Sequence, residues 1–251
     1  MRLQVEVLAD AREIGRRGAD VVAGELLAGR LRVLGVATGS SPLQVYESLA
    51  ARDLPGWDGV EVFALDEYVG LPAGDRASYA DVVDREVRAP LGVDPARVHV
   101  PDGRADDLDA ACDAYEQALV AAGGVDVQVL GIGATGHIGF NEPGSPFSSR
   151  TRVVELTPRT VADNARFFAS ADDVPRRAIT QGIATIARAR RHVLIARGEG
   201  KAEAVRAALE GEVAPDCPAS ALRTFEDVLV LLDPAAASLL TRSPARAVGA
   251  G

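Results

Sequence analysis

The sequence predicts an α/β fold, on two observations. Short runs rich in β-branched and other apolar residues alternate with longer, Ala-rich segments of helical period, the pattern of parallel strands joined through crossover helices. Four of the short runs also end in glycine-rich, serine-rich or acidic sequence, as expected where an open sheet gathers a ligand at the carboxyl ends of its strands. The expected architecture is single-domain and Rossmann-like: an open, mostly parallel sheet with helices on both faces.

Residues 1–10 alternate apolar and polar positions, and Arg2 and Glu6 interrupt any uncharged stretch, so they read as a first strand over 3–8 rather than as a secretory leader. A helix within 11–28 follows. A strand over 31–37 then runs into a helix opened by Pro42, whose missing amide hydrogen would be unpaired at a first helical position anyway. Further strands are expected at 60–65, 125–130, 152–156, 192–196 and 228–232, and further helices near 79–87, 108–121, 161–168, 178–189 and 201–209. The Pro- and Gly-bearing segment 141–149 is the longest irregular stretch, and such a loop inside an α/β domain is more often functional than not. No linker, composition shift or fixed-period repeat divides the chain, so all 251 residues are read as one domain with a frayed tail after Leu240.

Composition narrows the function. Apolar residues make up 47% of the chain, enough for one sizeable core, and no apolar run approaches the length that crosses a bilayer. Cys112 and Cys217 stand far apart without a CxxC or CxxH companion, which suggests neither a disulfide framework nor a zinc site and fits a reducing, cytoplasmic setting. A net charge of −9 and a pI near 4.9 oppose sequence-independent binding to nucleic acid. An acidic protein that takes an anionic metabolite must build a local positive site from backbone amides and a few cations.

Three loops carry candidate chemistry. In Thr38-Gly39-Ser40-Ser41-Pro42 a strand runs through a small-residue turn into a helix, so amides and hydroxyls can converge on an anion; an ordinary Ser-capped helix reads equally well. Asp66 and Glu67 end an apolar strand, and in an extended chain only one of them faces a given side. A partly desolvated carboxylate there is a candidate carbon-acid base, with a helix cap or solvated turn as the plain alternative. The loop Gly131 to Gly144 holds His137 among glycines with Glu142 five residues on, a possible acid/base pair, whereas His99 and His192 sit at strand starts. There is no HxxxH spacing, GxSxG elbow or GxGxxG with a downstream acid, so a reaction without metal or cofactor is preferred.

Taken together, TGSSP, LDEYVGL at 65–71 and GHIGFNEPG at 136–144 closely resemble the glucosamine-6-phosphate deaminases in order and spacing. The resemblance continues through 149–152, 163–168, Gly200-Lys201-Ala202 and Pro218-Ala219-Ser220, nearly the whole chain. The 6-phosphogluconolactonases share the fold but typically carry Asp-Glu-Arg in place of LDEY and lack FNEP.

The resemblance implies a small-molecule aminosugar phosphate as partner; charge and hydropathy already argue against nucleic acid and membrane, and a homo-oligomer is possible, since family members commonly self-associate. It implies that Thr38, Gly39, Ser40, Ser41, Arg166 and Lys201 hold the phosphate, with Arg166 in a mobile lid. It further implies that His137, supported by Glu142, opens the sugar ring, and that Asp66 moves a proton between C2 and C1 before ammonia leaves. A galactosamine 6-phosphate enzyme and a weakly catalytic sugar-phosphate sensor share these motifs and stay open at this point.

Two positions depart from the family pattern. Where the family usually has an acid two residues before the histidine, this chain has Thr135, a hydroxyl expected at best to accept one uncharged hydrogen bond, so ring opening is expected to be slower or tuned to another sugar. Where allosteric members carry a basic residue two positions after the arginine matching Arg152, this chain has Val154. Hyperbolic kinetics are therefore expected, unchanged by N-acetylglucosamine 6-phosphate; a sigmoidal saturation curve relieved by that compound would overturn the expectation.

Overall fold

Residues 2–241 are described in the computed structural model; Met1 and the expected frayed tail beyond Thr241 lie outside the described residues. The chain runs β1 (Arg2–Val7), α1 (Ala11–Leu27), β2 (Val33–Val36), α2 (Leu43–Ala50), β3 (Glu61–Ala64) and β4 (Asp66–Tyr68). It continues through α3 (Tyr79–Val83), α4 (Ala89–Leu91), β5 (Val98–His99), α5 (Leu108–Ala121), β6 (Val127–Gly131) and β7 (Arg152–Glu155). Last come α6 (Pro158–Asn164), β8 (Arg177–Thr180), α7 (Ile183–Ile186), β9 (Arg191–Ala196), α8 (Ala202–Glu210) and β10 (Asp227–Leu232).

Seven strands form one parallel sheet in the order β1-β10-β9-β6-β2-β3-β5. The chain leaves β2 in one direction and β6 in the other, so the topological switch point, where open sheets bind ligands, lies between these two neighbours. Both faces are covered, and strand residues are divided between them with a period of two. Val36, Val62, Val129, Val193, Ile195, Leu229 and Leu231 share a cluster with residues of α1, α2 and α4. Leu130, Leu194, Ala196, Val230 and Leu232 share one with α7, α8 and the 3₁₀ segment Pro218–Thr224. Every residue of β2 is buried, as expected of a parallel strand sandwiched between helices. Each fully buried Leu, Ile or Val stabilises the fold by roughly 1.5–3 kcal/mol. Among the described residues no helix is long and apolar enough to cross a membrane.

Helix starts follow local chemistry. Asp10 accepts the Glu13 amide at 2.9 Å while Glu13 accepts the Ala9 amide at 3.0 Å, a reciprocal cap that opens α1. Pro42 sits one residue before the first turn of α2, in helical conformation, rather than inside it as expected. The helix expected at 79–87 extends from α3 through a π-turn, Asp84–Arg88, into α4.

The largest correction to the sequence reading is at 178–189. Instead of one helix, Ala178–Thr180 belong to β8, and only Ile183–Ile186 are α-helical. β8 pairs antiparallel with both β4 and β7, giving a second sheet in the order β4-β8-β7. Ala178, Ile179 and Thr180 are fully buried and the β-branched pair suits a strand, and Gly182, extended at φ −76 and ψ 167, separates strand from helix. The helix expected at 161–168 likewise begins earlier, at Pro158, with Thr157 as its cap. A Cβ at Gly182 would lie 2.2 Å from the Ser149 carbonyl oxygen and 2.4 Å from that of Arg150. Gly182→Ala should therefore lower stability by about 2 kcal/mol or more, read as a drop in urea midpoint with unchanged slope.

Candidate active site

Four irregular segments leave the carboxyl ends of four adjacent strands, β9, β6, β2 and β3. They are 197–201, 132–144, the turn holding Thr38–Ser41, and the step from β3 into β4. Buried Tyr46 on α2 holds the start of the turn, accepting the Ala37 amide at 3.1 Å and donating to the Ala37 carbonyl at 2.9 Å. Arg197 donates to Gln44 Oε1 at 2.7 Å, joining the segment after β9 to the first turn of α2. In the turn itself Gly39 has φ +100, which favours glycine, and Ser40 is exposed.

Asp66 and Glu67 take opposite sides of β4. Glu67 accepts the amides of Tyr68, Tyr79 and Ala80 at 2.8, 2.9 and 2.8 Å, so it caps α3. It also borders a cavity of about 420 Å³ lined by Leu71, Pro72, Pro101 and Arg104, which none of the other predicted site residues touches. Asp66 faces the histidine loop. It is buried, and desolvation, reinforced by the charge of Glu67, pushes its carboxyl up to about 8. The loop reaches it through Gly139, at φ +55: a Cβ there would stand 2.8 Å from Thr180 Oγ1 and 3.4 Å from Asp66 Oδ2. Thr180, opposite Asp66 in the β4–β8 register, accepts the Phe140 amide at 3.1 Å and fixes that approach.

His137 turns back over Gly133, which has no Cβ to meet the ring. Its Nδ1 lies 3.0 Å from Thr135 Oγ1 and 3.4 Å from Glu142 Oε2, and Thr135 donates to Glu142 Oε2 at 3.3 Å. With the Thr135 proton given to Glu142, the Thr135 oxygen accepts from Nδ1–H, and Nε2 is the ring nitrogen outside this relay. The expectation that Thr135 only accepts one uncharged bond is thus corrected: the hydroxyl is a relay between imidazole and carboxylate. Burial works to raise the Glu142 pKa, but hydrogen bonds from His137, Thr160 and Thr135 and the His137 charge lower it overall. Asn141, fully buried, donates to the carbonyls of Ile138 and Gln181 at 2.9 and 2.7 Å and accepts from Arg152 at 2.8 Å, holding the loop's far side. Val154, the second departure, packs within β7 against the cluster of Tyr68, Phe140 and Val161.

The cations gather apart from these groups. The Lys201 amine has its pKa lowered by desolvation first, with Asp163 acting against that and Arg166 and Arg159 adding to it. Arg159, Asp163 and Arg166 recur at i, i+4 and i+7 along α6 and the turn that continues it, and so share one face. Among the described residues none of Lys201, Arg159 and Arg166 is in a salt bridge, although Arg166 lies 4.7 Å over the Phe167 ring. The structure thus brings Asp66 to the histidine loop and Arg166 to Lys201. Beside these groups the Tyr79 hydroxyl donates to that of Tyr68 at 3.4 Å, and Asn164 of α6 donates to Tyr68 at 2.9 Å. Sequence reasoning missed Arg159, Thr160 and Tyr79; the Thr157-Pro158 start signal would have put the first two on a helix.

An open parallel sheet with a desolvated carboxylate, a relayed imidazole and unneutralised cations at its central strand ends is the arrangement of an enzyme for a small anionic substrate. The chain belongs to the family of glucosamine-6-phosphate isomerases and 6-phosphogluconolactonases, whose model matches residues 12–231. It is 54% identical to a glucosamine-6-phosphate deaminase of Cutibacterium acnes, over 95% of this chain and 93% of that one. It is 51% identical to one of Streptomyces coelicolor at the same coverage. A solved monomeric glucosamine-6-phosphate deaminase superposes with a TM-score of 0.91 at 41% identity, over 96% of this chain and all of that one. A 6-phosphogluconolactonase from Trypanosoma brucei, 21% identical with a TM-score of 0.75 over 96% and 99% of the chains, shares the fold.

The proton on Asp66 favours the folded chain. That contribution is whole below the ordinary carboxylate range and is lost as pH rises through about 8. Asp66→Asn, which cannot ionise, should therefore raise Tm at pH 8.5 and change it little at pH 4, measured by calorimetry at both pH values. An equal shift at the two would show that desolvation of the carboxylate is not the cause.

Proposed function

We propose that this chain converts glucosamine 6-phosphate to fructose 6-phosphate and ammonia, with Asp66 as the carbon-acid base and His137, Thr135 and Glu142 as the ring-opening relay. The observation that carries the assignment is Asp66, a buried carboxylate with its proton affinity raised into the working range, placed against the histidine loop. The high identity to named deaminases supports the substrate.

The steps follow from the groups present. Lys201, Arg166 and the amides and hydroxyls of Thr38–Ser41 bind the phosphate; Arg159 adds a third positive charge. His137 Nε2 takes the proton of the anomeric hydroxyl and returns one to the ring oxygen, while Nδ1–H stays bonded to Thr135 and Glu142 takes up the developing positive charge. Ionised Asp66 then removes the C2 proton while a proton from the amine nitrogen passes to O1, giving an enolamine, and Asp66 returns its proton to C1, giving the ketimine. Water adds to the ketimine carbon and ammonia leaves, so the net reaction consumes one water.

Purified protein should release ammonia from glucosamine 6-phosphate, and Asp66→Asn should abolish it. In the free enzyme kcat/KM should climb with pH to a plateau above about 8, because the base is the ionised form. No turnover above the Asp66→Asn control, with phosphate-ester binding intact, would make the chain a sensor, and faster turnover of galactosamine 6-phosphate in a substrate panel would change the epimer. Lys201→Gln and Arg166→Gln should each raise KM by about 10- to 100-fold, the loss of one charge-assisted hydrogen bond.

A further inference from the structure

Glu142 is held from two directions. Its Oε2 faces the histidine loop, where Thr135 donates to it and His137 lies 3.4 Å away. Its Oε1 accepts the hydroxyl proton of Thr160, which comes from α6. Thr160 is buried, and its hydroxyl in turn accepts from Thr157 at 3.0 Å while Thr157 also accepts the Thr160 amide at 3.2 Å. The capping residue of α6 therefore orients the hydroxyl that orients Glu142. The same short helix and its continuing turn carry Arg159 and Arg166 on their exposed side, next to Lys201. At its other end α6 is tied by Asn164 to Tyr68, two residues from Asp66.

We propose that Thr160 is a positioning residue for the reaction, acting through Glu142, so that the element which grips the phosphate also sets the ring-opening relay. The inference rests on the reading of Glu142 given above. A phosphate drawn to Arg159 and Arg166 fixes α6, and with α6 fixed the Thr157–Thr160–Glu142 chain holds the carboxylate where Thr135 and His137 can use it. Without the Thr160 hydroxyl, Oε1 loses its donor and the carboxylate is free to turn away from the relay.

The test is a kinetic cycle on the full chain. Thr160→Val should lower kcat by about 10-fold or more with KM for glucosamine 6-phosphate and inhibition by inorganic phosphate within about 2-fold of wild type. Thr160→Ser, which keeps the hydroxyl, should restore most of kcat. Combined with Glu142→Gln, Thr160→Val should add almost nothing, because both act on one group. The proposal is overturned if Thr160→Val leaves kcat intact, if its loss appears in KM and phosphate inhibition instead, or if the two substitutions are additive. Should Glu142→Gln alone turn over like wild type, the assignment of the relay falls and the proposal with it. Circular dichroism and Tm of the Thr160→Val protein separate these results from misfolding, with Thr160→Ser as the variant that keeps the question answerable.

Discussion

The site depends on keeping one carboxylate out of water where the chain steps from the parallel sheet into the antiparallel one. Asp66 begins β4 directly after Leu65, whose carbonyl is bonded by the Gln181 amide and whose own amide bonds Val36. The backbone on either side is thus committed to two different sheets. Opposite stands Thr180, and over it lies Gly139, so the side chain has protein around it where a solvated turn would have left water. Desolvation raises its proton affinity, and the ionised form works against folding as pH rises.

Around that carboxylate the supporting contacts are mostly uncharged. The hydroxyls of Tyr79, Tyr68, Thr135, Thr157 and Thr160 link α3, β4, the histidine loop and α6. Neutral donors can orient an ionisable group in a low-dielectric site without adding a second charge that would fix its protonation state. Charges are used further out. Buried Glu116 on α5 accepts from Arg150 at 2.8 Å and from the Thr151 amide and hydroxyl at 2.9 and 2.7 Å, and also from Thr185. These bonds outweigh desolvation and hold its pKa down to about 2, and they tie the end of the long irregular loop to α5 and α7. The end of the loop that holds His137 and Glu142 is thereby carried on a fixed base.

What could be read from the chain in advance was whatever local pattern decides. Apolar runs, or in β1 an apolar/polar alternation, mark parallel strands, so six of the seven, all but the two-residue β5, were legible, and α5 was placed to the residue. The helix expected at 178–189 failed because Ala and Ile suit either state when the window is short; pairing with β4 and β7, distant in sequence, decided it. Thr160 failed for a related reason. Its role is a bond to a residue 18 positions away, and no spacing in the sequence announces such a bond.

By itself, then, the sequence determined the α/β architecture and the family and singled out the candidate site residues, because strand and helix periodicity and contiguous motifs are local properties. Only the tertiary structure decided what those residues are to one another. Alternation in β4 said that Asp66 and Glu67 part company, but it took the packing of α3 and of Gly139 to make one a helix cap and the other a desolvated acid. Thr135 looked like a loss until its hydroxyl was found between imidazole and carboxylate. Burial and hydrogen-bond partners come from segments far apart in the chain, and they, rather than residue type, set proton affinity.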